Sequence, residues 1–591
     1  MDKKKKIIGV LITLTIIFTV MGSTFAYLSW SSSEEQKTQV TFTKEAGFSC
    51  SVNGGGNIAE GDVILMPTVV NDSTTSYYIK RTITVKPTIT DSLLPVYMDL
   101  WLDINSLGTG LSNSLNFKYA LTTSSTSPTT GVVSSGNFNG KITGDKINLL
   151  TSKKYTATTT DTYYLWIWLD AEETSSDTMN QSFSLSLNGS CMNDVPASKP
   201  DIKDGMIPVV ISSNGITSTV SENDASWYNY NNQEWANMVL VNDSSRSTYQ
   251  NTSGVVVSED DILAYYVWIP RYKYRIWATS TSSKGSEQEI DIIFESKDVA
   301  KSTGTQVGEY ITHPAFTFGN TELNGIWVGK FETGGTATAP LIKPNISSLR
   351  IQTVSEEFTT AQIFGTSTYG MTSNVDAHMM KNSEWGAVAY LSHSRYGANR
   401  EIYINNSSEY FTGRSGGNVG GSTAINTVYT GKTSTSQYNT YGFYTWDGYL
   451  LEYNTNTKSG THDISKVAST TGNITGVYDM SGGAYEYVMG NFANTIGNSG
   501  FTTLPDSKYY DDYTTTNSLT ACNGGICYGH GLSEVRGWYG DYALFADAVD
   551  PWFLRGGIFN SDSRAGTFNF NSSLGNVSGS RAARSVLVVG S

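Results

Sequence analysis

At 591 residues the chain is too long for one hydrophobic core, so two or three domains are expected. Only 16% of its residues are charged while Ser, Thr, Asn, Gly and Tyr abound, a texture that suits exported β-rich proteins better than cytosolic helical enzymes. The formal net charge of −14 argues against a nucleic-acid partner, whose phosphates demand a basic face.

Lys3 to Lys6 precede an apolar run over residues 7–25 and then Ala26. A cationic head, an apolar stretch and the sequence Thr24-Phe25-Ala26 read as a secretory signal cleaved after Ala26. The alternative is an uncleaved anchor, because the run continued to Leu28 just reaches bilayer-spanning length with its lysines inside. Either way residues 1–26 are a signal peptide or membrane anchor, the remainder is secreted or displayed at the cell surface, and the membrane is met only through this segment. GSTFAYLSWSS, residues 22–32, resembles the signal and junction of the TasA and camelysin family. Members of that bacterial family often build surface fibres, which implies self-assembly partners.

Residues 27–195 read as a β-sandwich. Short alternating segments at 77–87, 96–104, 163–170 and 182–187 are separated by Ser/Thr/Gly loops, the spacing of an all-β fold. In YYLWIWLD (163–170), Tyr163, Leu165, Ile167 and Leu169 fall on one face and Tyr164, Trp166 and Trp168 on the other. Apolar residues on both faces predict a central strand. Residues 163–191 also resemble the TasA-like sandwich. Cys50 and Cys191 bracket this domain, while Cys522 and Cys527 enclose a four-residue loop. Four cysteines allow three pairings, and 50/191 with 522/527 is the simplest in an oxidising compartment.

Residues 196–205, polar and carrying Pro196 and Pro200, read as a linker, and 206–591 as the second domain. Its early part is aromatic-rich, at 227–241 and 264–277. Arg271, Lys273 and Arg275 alternate with Tyr272, Tyr274 and Ile276, the pattern of a half-buried strand with a solvated basic face. From Lys381 the chain predicts a helix, with Asn382 or Ser383 as N-cap before Glu384 and an apolar stripe of Trp385, Val388, Ala389 and Leu391 ending near Gly397. GRSGG (413–417) fits G-x-S-x-G, but the Gly/Ser/Thr-rich sequence after it cannot open a helix, so Ser415 is expected in a plain turn. The five histidines, 313, 378, 393, 462 and 530, lack ligand spacing and read as surface or core residues.

The segment at 476–490, GVYDMSGGAYEYVMG, brings two carboxylates, Asp479 and Glu486, to either side of a glycine turn. Hard cations take carboxylate and turn-carbonyl oxygens, and glycines let a backbone aim them. The plainer alternative is a turn between strands with Glu486 solvated. This segment resembles the G-x-x-D-M-x-G-N-V-W-E-W block of the formylglycine-generating-enzyme (sulfatase-modifying factor) family, a variant of the C-type lectin fold. GIWVGKFET (325–333), HMMKNSEWGAVAYLSHSRYG (378–397) and FLRGG (553–557) with ARSVLV (583–588) resemble its other blocks in the same order. Gly483 departs from the family's Asn, and Tyr485 and Tyr487 from its Trp. The resemblance implies an α+β C-type-lectin-like domain after a mainly β sandwich. It further implies a structural Ca²⁺ held by the Asp479 and Glu486 side chains and the carbonyls of Gly482 and Ala484. The family's oxidase holds copper on a cysteine pair between R-G-G and the final block. Residues 558–584 contain no cysteine, so no copper and no catalysis are expected.

Residues 558–584, IFNSDSRAGTFNFNSSLGNVSGSRAAR, are rich in Asn, Ser and Gly with interspersed Phe, the mixture of adaptable hydrogen bonding and stiff contact area found in antibody paratopes. The segment resembles the variable region of diversity-generating-retroelement target proteins. Phe568 and Phe570 alternate with Asn569 and Asn571, so one face is expected to anchor the sheet and the other to present side chains. The expected contacts are Phe559, Asn560, Ser561, Asp562, Ser563, Asn569, Asn571, Ser573 and Asn576. The expectation is thus a secreted or surface adhesin-type binding protein with an extracellular protein or glycan ligand and no nucleic acid. A surface fibre subunit and a redox enzyme related to formylglycine-generating oxidases remain the alternatives.

Overall fold

The computed structural model describes residues 64–590 apart from 71–76, 90–95, 156, 193–195, 277–286, 304–309, 372–373, 406, 408, 417–442, 448, 452–457, 462–467, 515–526 and 562–563. Ahead of residue 64 it describes only the short strands Ala26–Tyr27, Val40–Lys44, Phe48–Asn53 and Gly56–Asn57. The signal-or-anchor reading of residues 1–26 therefore falls outside the described residues, save Ala26. Among the described residues no helix is long and apolar enough to cross a membrane. The protein is mainly β, and it divides into two compact units, 1–193 and 194–591.

In the first unit a six-stranded antiparallel sheet runs in the order Val40–Lys44, Phe48–Asn53, Tyr78–Ile89, Asp161–Leu169, Phe117–Thr122, Val132–Asn137. A four-stranded sheet, Lys146–Tyr155, Val96–Leu107, Phe183–Met192 and Gly56–Asn57, shares one core with it. Strand Asp161–Leu169 is central, as its two apolar faces predict: Tyr163, Leu165, Ile167 and Leu169 enter the shared core. Trp166 and Trp168 pack with Tyr78 and Ala120 on the other side. Trp166 satisfies its indole N–H on Thr122 Oγ1 at 2.8 Å, as a buried Trp must. The backbones of Cys50 and Cys191 lie in different sheets, opposite Phe42 and Met98 respectively, and their side chains fall outside the described residues.

The stretch 196–205 does not run free. Its carbonyls serve buried tryptophans of the second unit, Trp268 Nε1 donating to Ser198 O (3.1 Å) and Trp327 Nε1 to Asp201 O (2.8 Å). Indole N–H groups in an aromatic core need acceptors, and this polar segment supplies them.

The second unit is built on a seven-stranded antiparallel sheet: Thr217–Thr219, Ile207–Ile211, Asn237–Val241, Ile262–Pro270, Gly325–Gly329, Ser585–Val589, Val375–Met379. The chain's final strand thus lies inside the sheet, with Val586 opposite both Val328 and His378. A second sheet comprises Asp511–Tyr513, Tyr485–Phe492, Trp552–Gly556 and Gly566–Ser573, with Arg581–Ala583 running parallel beside Tyr485–Phe492. Within the Arg271 strip, Tyr272 and Tyr274 are buried and Arg275 pairs with Asp291, as a half-buried strand should. Arg271 departs from the predicted solvated face: it is fully buried, held by Glu295 (3.0 Å) and Glu322 (2.7 Å).

Two helices position the site. Helix α1, Val354–Gln362, opens with a Thr353/Glu356 capping box, a T-x-x-E signal legible in the sequence. Helix α2, Asn382–Ser392, is the predicted one, but it has no solvent face: all eleven residues are buried. Its N-terminus is satisfied inside the protein, with Glu384 Oε2 accepting from Lys381 N (2.8 Å) and Asp511 Oδ2 from Ser383 N (2.7 Å). Gly386 stands in mid-helix because the Gly529 carbonyl crosses there, 1.9 Å from where a Cβ would sit.

On α1, Glu357 is buried among Val354, Phe358 and Ala361, and both its carboxyl oxygens lack a hydrogen-bond partner among the described residues. Burial pushes its pKa well above the usual carboxylate range, which favours the neutral acid in the folded protein. Its contribution to stability is complete below the unfolded value and is lost as pH rises from there toward the folded one. Glu357→Gln is expected to raise the melting temperature at pH 8, reflecting about 1–3 kcal/mol of relieved burial cost. The gap should close toward pH 4 in thermal scans of both proteins.

Candidate functional site

Segments of the chain that lie far apart in sequence meet at one buried polar knot. Glu332 follows strand Gly325–Gly329, Asp479 sits in the 476–490 turn, Glu486 lies in strand Tyr485–Phe492 and Arg584 just precedes strand Ser585–Val589; all four are buried. Arg584 grips Glu486 with a two-pronged pair, Nε to Oε2 at 3.0 Å and Nη2 to Oε1 at 2.6 Å. It also donates to Gly329 O (2.7 Å) and Tyr478 O (2.9 Å), tying three segments together. Asp479 has φ +62, a left-handed conformation that Asp tolerates better than most residues. Its Oδ1 accepts from Asn405 Nδ2 (2.8 Å) and Gly413 N (2.9 Å), and Oδ2 from Gly413 N at 3.1 Å. Glu332 Oε1 accepts from Ala484 N at 3.0 Å, and its Oε2 meets the Ser348 hydroxyl. Gly483 stands where the family block has Asn because a Cβ would lie 2.4 Å from Glu332 Oε1.

Three carboxyls share one guanidinium. Burial raises the pKa of Glu332 well above the carboxylate range, with Asp479 and Glu486 adding repulsion. Burial raises Asp479 and Glu486 too, opposed in both by Arg584. The arrangement is an Arg584–Glu486 pair with a third acid, Glu332, driven toward its protonated form. Nearby, fully buried Lys330 spends its three donors on Asn237 Oδ1 (2.9 Å), Ile474 O (2.7 Å) and Gly476 O (2.8 Å).

The residues expected to hold Ca²⁺, Asp479, Gly482, Ala484 and Glu486, do not fit that ion in this arrangement. Both Glu486 oxygens serve Arg584, and both Asp479 oxygens receive N–H donors. A guanidinium stands where a cation would draw on Glu486, and Glu486 is buried rather than solvated. Among the described residues no group of three or more His, Cys, Asp or Glu is placed to hold a metal ion.

The final segment divides into an inner and an outer part. Phe568 and Phe570 are buried, as the alternation predicts, but so is Asn569 between them, its Nδ2 donating to Arg564 O at 2.6 Å. The backbone of 542–544 hydrogen-bonds Phe570 and Arg564, pairing with the strand edge away from Trp552–Gly556. Ser561 and Ser573 are likewise buried, Ser573 Oγ lying 2.9 Å from the Tyr487 hydroxyl. That hydroxyl also donates to Asn576 O (2.8 Å) and receives Arg581 Nη1 (2.7 Å), and a Trp, a donor only, could not accept the second of these. Asn560 is exposed, Phe559, Asn571 and Asn576 are half-buried, and Asp562 and Ser563 lie outside the described residues.

Beside Phe559 stands a cluster that the sequence did not suggest. The Tyr410 ring meets Phe559 nearly perpendicular at 5.0 Å, and the Arg350 guanidinium lies 4.1 Å from its centroid. Arg350 Nη1 donates to Gly579 O, and Ile351 N donates to Ser578 O at 3.0 Å. Ile351 is 69% exposed with φ +66, and Val577 is 48% exposed. No local pattern could announce this cluster, since it joins residues from three distant stretches; a buried acid pair lacking a nearby cation could have prompted a search for Arg584.

Ser415 lies in the short strand Arg414–Gly416 and is buried, not in a turn. His313, His378 and His393 are buried; His378 bridges Asp376 (3.2 Å) and Glu384 (2.9 Å), and His462 falls outside the described residues. Burial would lower the His378 pKa, but the Glu384 charge overrides it and holds the ring above its ordinary value. Cys527 is buried and disulfide-bonded, while Cys522 lies outside the described residues. No protein-family model matches the chain, and no curated protein matches it.

Arg584→Ala would strand Glu486 in the core and is expected to cost about 3–5 kcal/mol in urea unfolding. Glu332→Gln, which preserves shape and mimics the neutral acid, should stay within about 1 kcal/mol. EDTA is expected to leave the melting temperature unchanged; a fall restored by Ca²⁺ would contradict the ion-pair account.

Proposed function

We propose that the chain is an exported, non-catalytic recognition protein of the bacterial surface. The signal or anchor at 1–26 delivers it, the first unit serves as a TasA-like stalk or assembly module, and the second unit carries a formylglycine-enzyme-like variant of the C-type lectin fold. The outer part of the final segment, with the Arg350–Tyr410 cluster, binds an extracellular ligand. The observation that carries this reading is the division of residues 558–584. Phe568, Asn569, Phe570, Ser573 and Arg584 complete the interior, while Asn560, Arg564, Leu574, Val577 and Gly579 are exposed around it. Loops that hang from a rigid interior are where binding residues sit in many folds.

The meeting of the family-like blocks at Glu332, Asp479, Glu486 and Arg584 supports the family reading. The recognition reading over an oxidase rests on chemistry: residues 558–584 offer Asn, Ser and Gly but no thiolate for Cu(I). The cysteines that do exist, Cys522 and Cys527, precede Arg555, and Cys527 is already in a disulfide.

The test is binding of the full chain to arrays of extracellular proteins and glycans, compared with the double variant Asn560→Ala/Val577→Asp and with Asn569→Ala. The double variant is expected to lose binding at least about tenfold, roughly 1.4 kcal/mol, without losing stability. Asn569→Ala should instead destabilise by about 1 kcal/mol, because it removes a buried side-chain hydrogen bond to Arg564 O, which keeps Tyr542 N as a donor. Bound copper and oxygen uptake by the purified protein would overturn the reading.

A further inference from the structure

The Arg350 cluster is more specific than a generic contact surface. Its guanidinium is fixed on three sides: stacked on Tyr410 at 4.1 Å, Nη1 on Gly579 O, and Nε toward Ser348 O at 3.4 Å. Among the described residues no carboxylate pairs with it, whereas Arg271, Arg275 and Arg584 all have acid partners. Nη2 has no hydrogen-bond partner among the described residues, so a preorganised donor edge remains for an oxygen pair.

Two strained residues frame this edge. Ile351 has φ +66 and Tyr410 φ +59. A β-branched residue in that region costs on the order of 1–3 kcal/mol. Ile351 recovers none of it by burial, being 69% exposed, and Val577 beside Ser578 is exposed as well. The Ile351 N to Ser578 O hydrogen bond joins the two backbone segments that carry this aliphatic pair, and Ile351 follows Arg350 in sequence.

Charge agrees with this geometry. In a chain of net charge −14, the stretch 558–583 that precedes the buried Arg584 holds two arginines, Arg564 and Arg581, against the single acid Asp562. A saccharide would want an open aromatic face, but the Tyr410 ring is already engaged by Arg350 and Phe559. Resting on the recognition reading above, we propose that this face takes an acidic peptide segment of a partner protein. A peptide carboxylate forks onto Arg350, and a neighbouring aliphatic side chain covers Ile351 and Val577.

The experiment is selection of a random-peptide phage library on the immobilised full chain, with a glycan array in parallel, followed by titration of the synthetic peptides against Arg350→Gln, Arg350→Lys and Val577→Asp. Arg350 is half-buried at the surface, and the thermal stability of each variant is checked alongside. The expected result is enrichment of Asp or Glu beside Leu, Ile or Val. Affinity should fall at least about tenfold in Arg350→Gln and by less in Arg350→Lys, which keeps the charge but loses the fork. Neutral peptides or glycans that lose binding in Val577→Asp but ignore Arg350→Gln would overturn the carboxylate proposal while leaving recognition at this face intact. Ligands indifferent to all three variants, or no binding to either library, would overturn both.

Discussion

The ion pair between Glu486 and Arg584 is the constraint on which the second unit depends. A guanidinium and a carboxylate removed from water each forfeit several kcal/mol of hydration, and only a two-pronged geometry with every remaining donor satisfied offsets that loss. Arg584 meets the condition by adding the carbonyls of Gly329 and Tyr478 to its two bonds with Glu486. The same bonds fix where strand Ser585–Val589 enters the sheet, between Gly325–Gly329 and Val375–Met379. An interior strand whose two neighbours both lie far earlier in the sequence leaves the sheet open until it docks. Its formation therefore relies on contacts of large sequence separation.

From that anchor follows the division of the preceding segment. Two buried arginines bound it: Arg555, whose guanidinium donates to Gly531 O (2.8 Å) and lies 5.4 Å from the Trp385 ring, and Arg584. Between these fixed points strand Gly566–Ser573 is held on both sides, by the Trp552–Gly556 strand and by the 542–544 backbone. What remains outside are the connections, and these are the residues that the proposed recognition role uses.

The strands of the first unit were legible because burial there follows local pattern. A stretch such as YYLWIWLD, apolar on both faces, has few places to go except the middle of a sheet. Helix α2 was legible as a helix but not as a wholly buried one, because its polar residues Glu384 and Ser383 are satisfied by His378, Lys381 and Asp511, none visible as a pattern on the helix itself. The same limit explains Asp479 and Glu486. Two acids around a glycine turn look alike to a local reader whether their counter-charge is a metal ion or an arginine 98 residues further on. The alternation at Phe568 to Asn571 misled for a related reason. Period two assigns residues to opposite faces, but it says nothing about whether the second face is covered, and here Asn569 on that face is buried.

A surface that varies without unfolding its scaffold must be energetically uncoupled from the interior, and this protein separates the two by residue. Asn569, bonded to Arg564 O, and Ser573, bonded to the Tyr487 hydroxyl, are buried, where leaving a polar group unsatisfied costs about 1–3 kcal/mol. Asn560, Val577 and Gly579 stand outside that buried set; a Cβ added at Gly579 meets nothing within 4 Å. Substitutions at such exposed positions ordinarily move stability by no more than about 0.5 kcal/mol. The strain at Ile351 and Tyr410 belongs to the scaffold side of this boundary. Hydrogen bonds from Ile351 N to Ser578 O and from Ser348 N to Tyr410 O hold the backbone in place, so side chains beyond it can change while the frame that presents them does not.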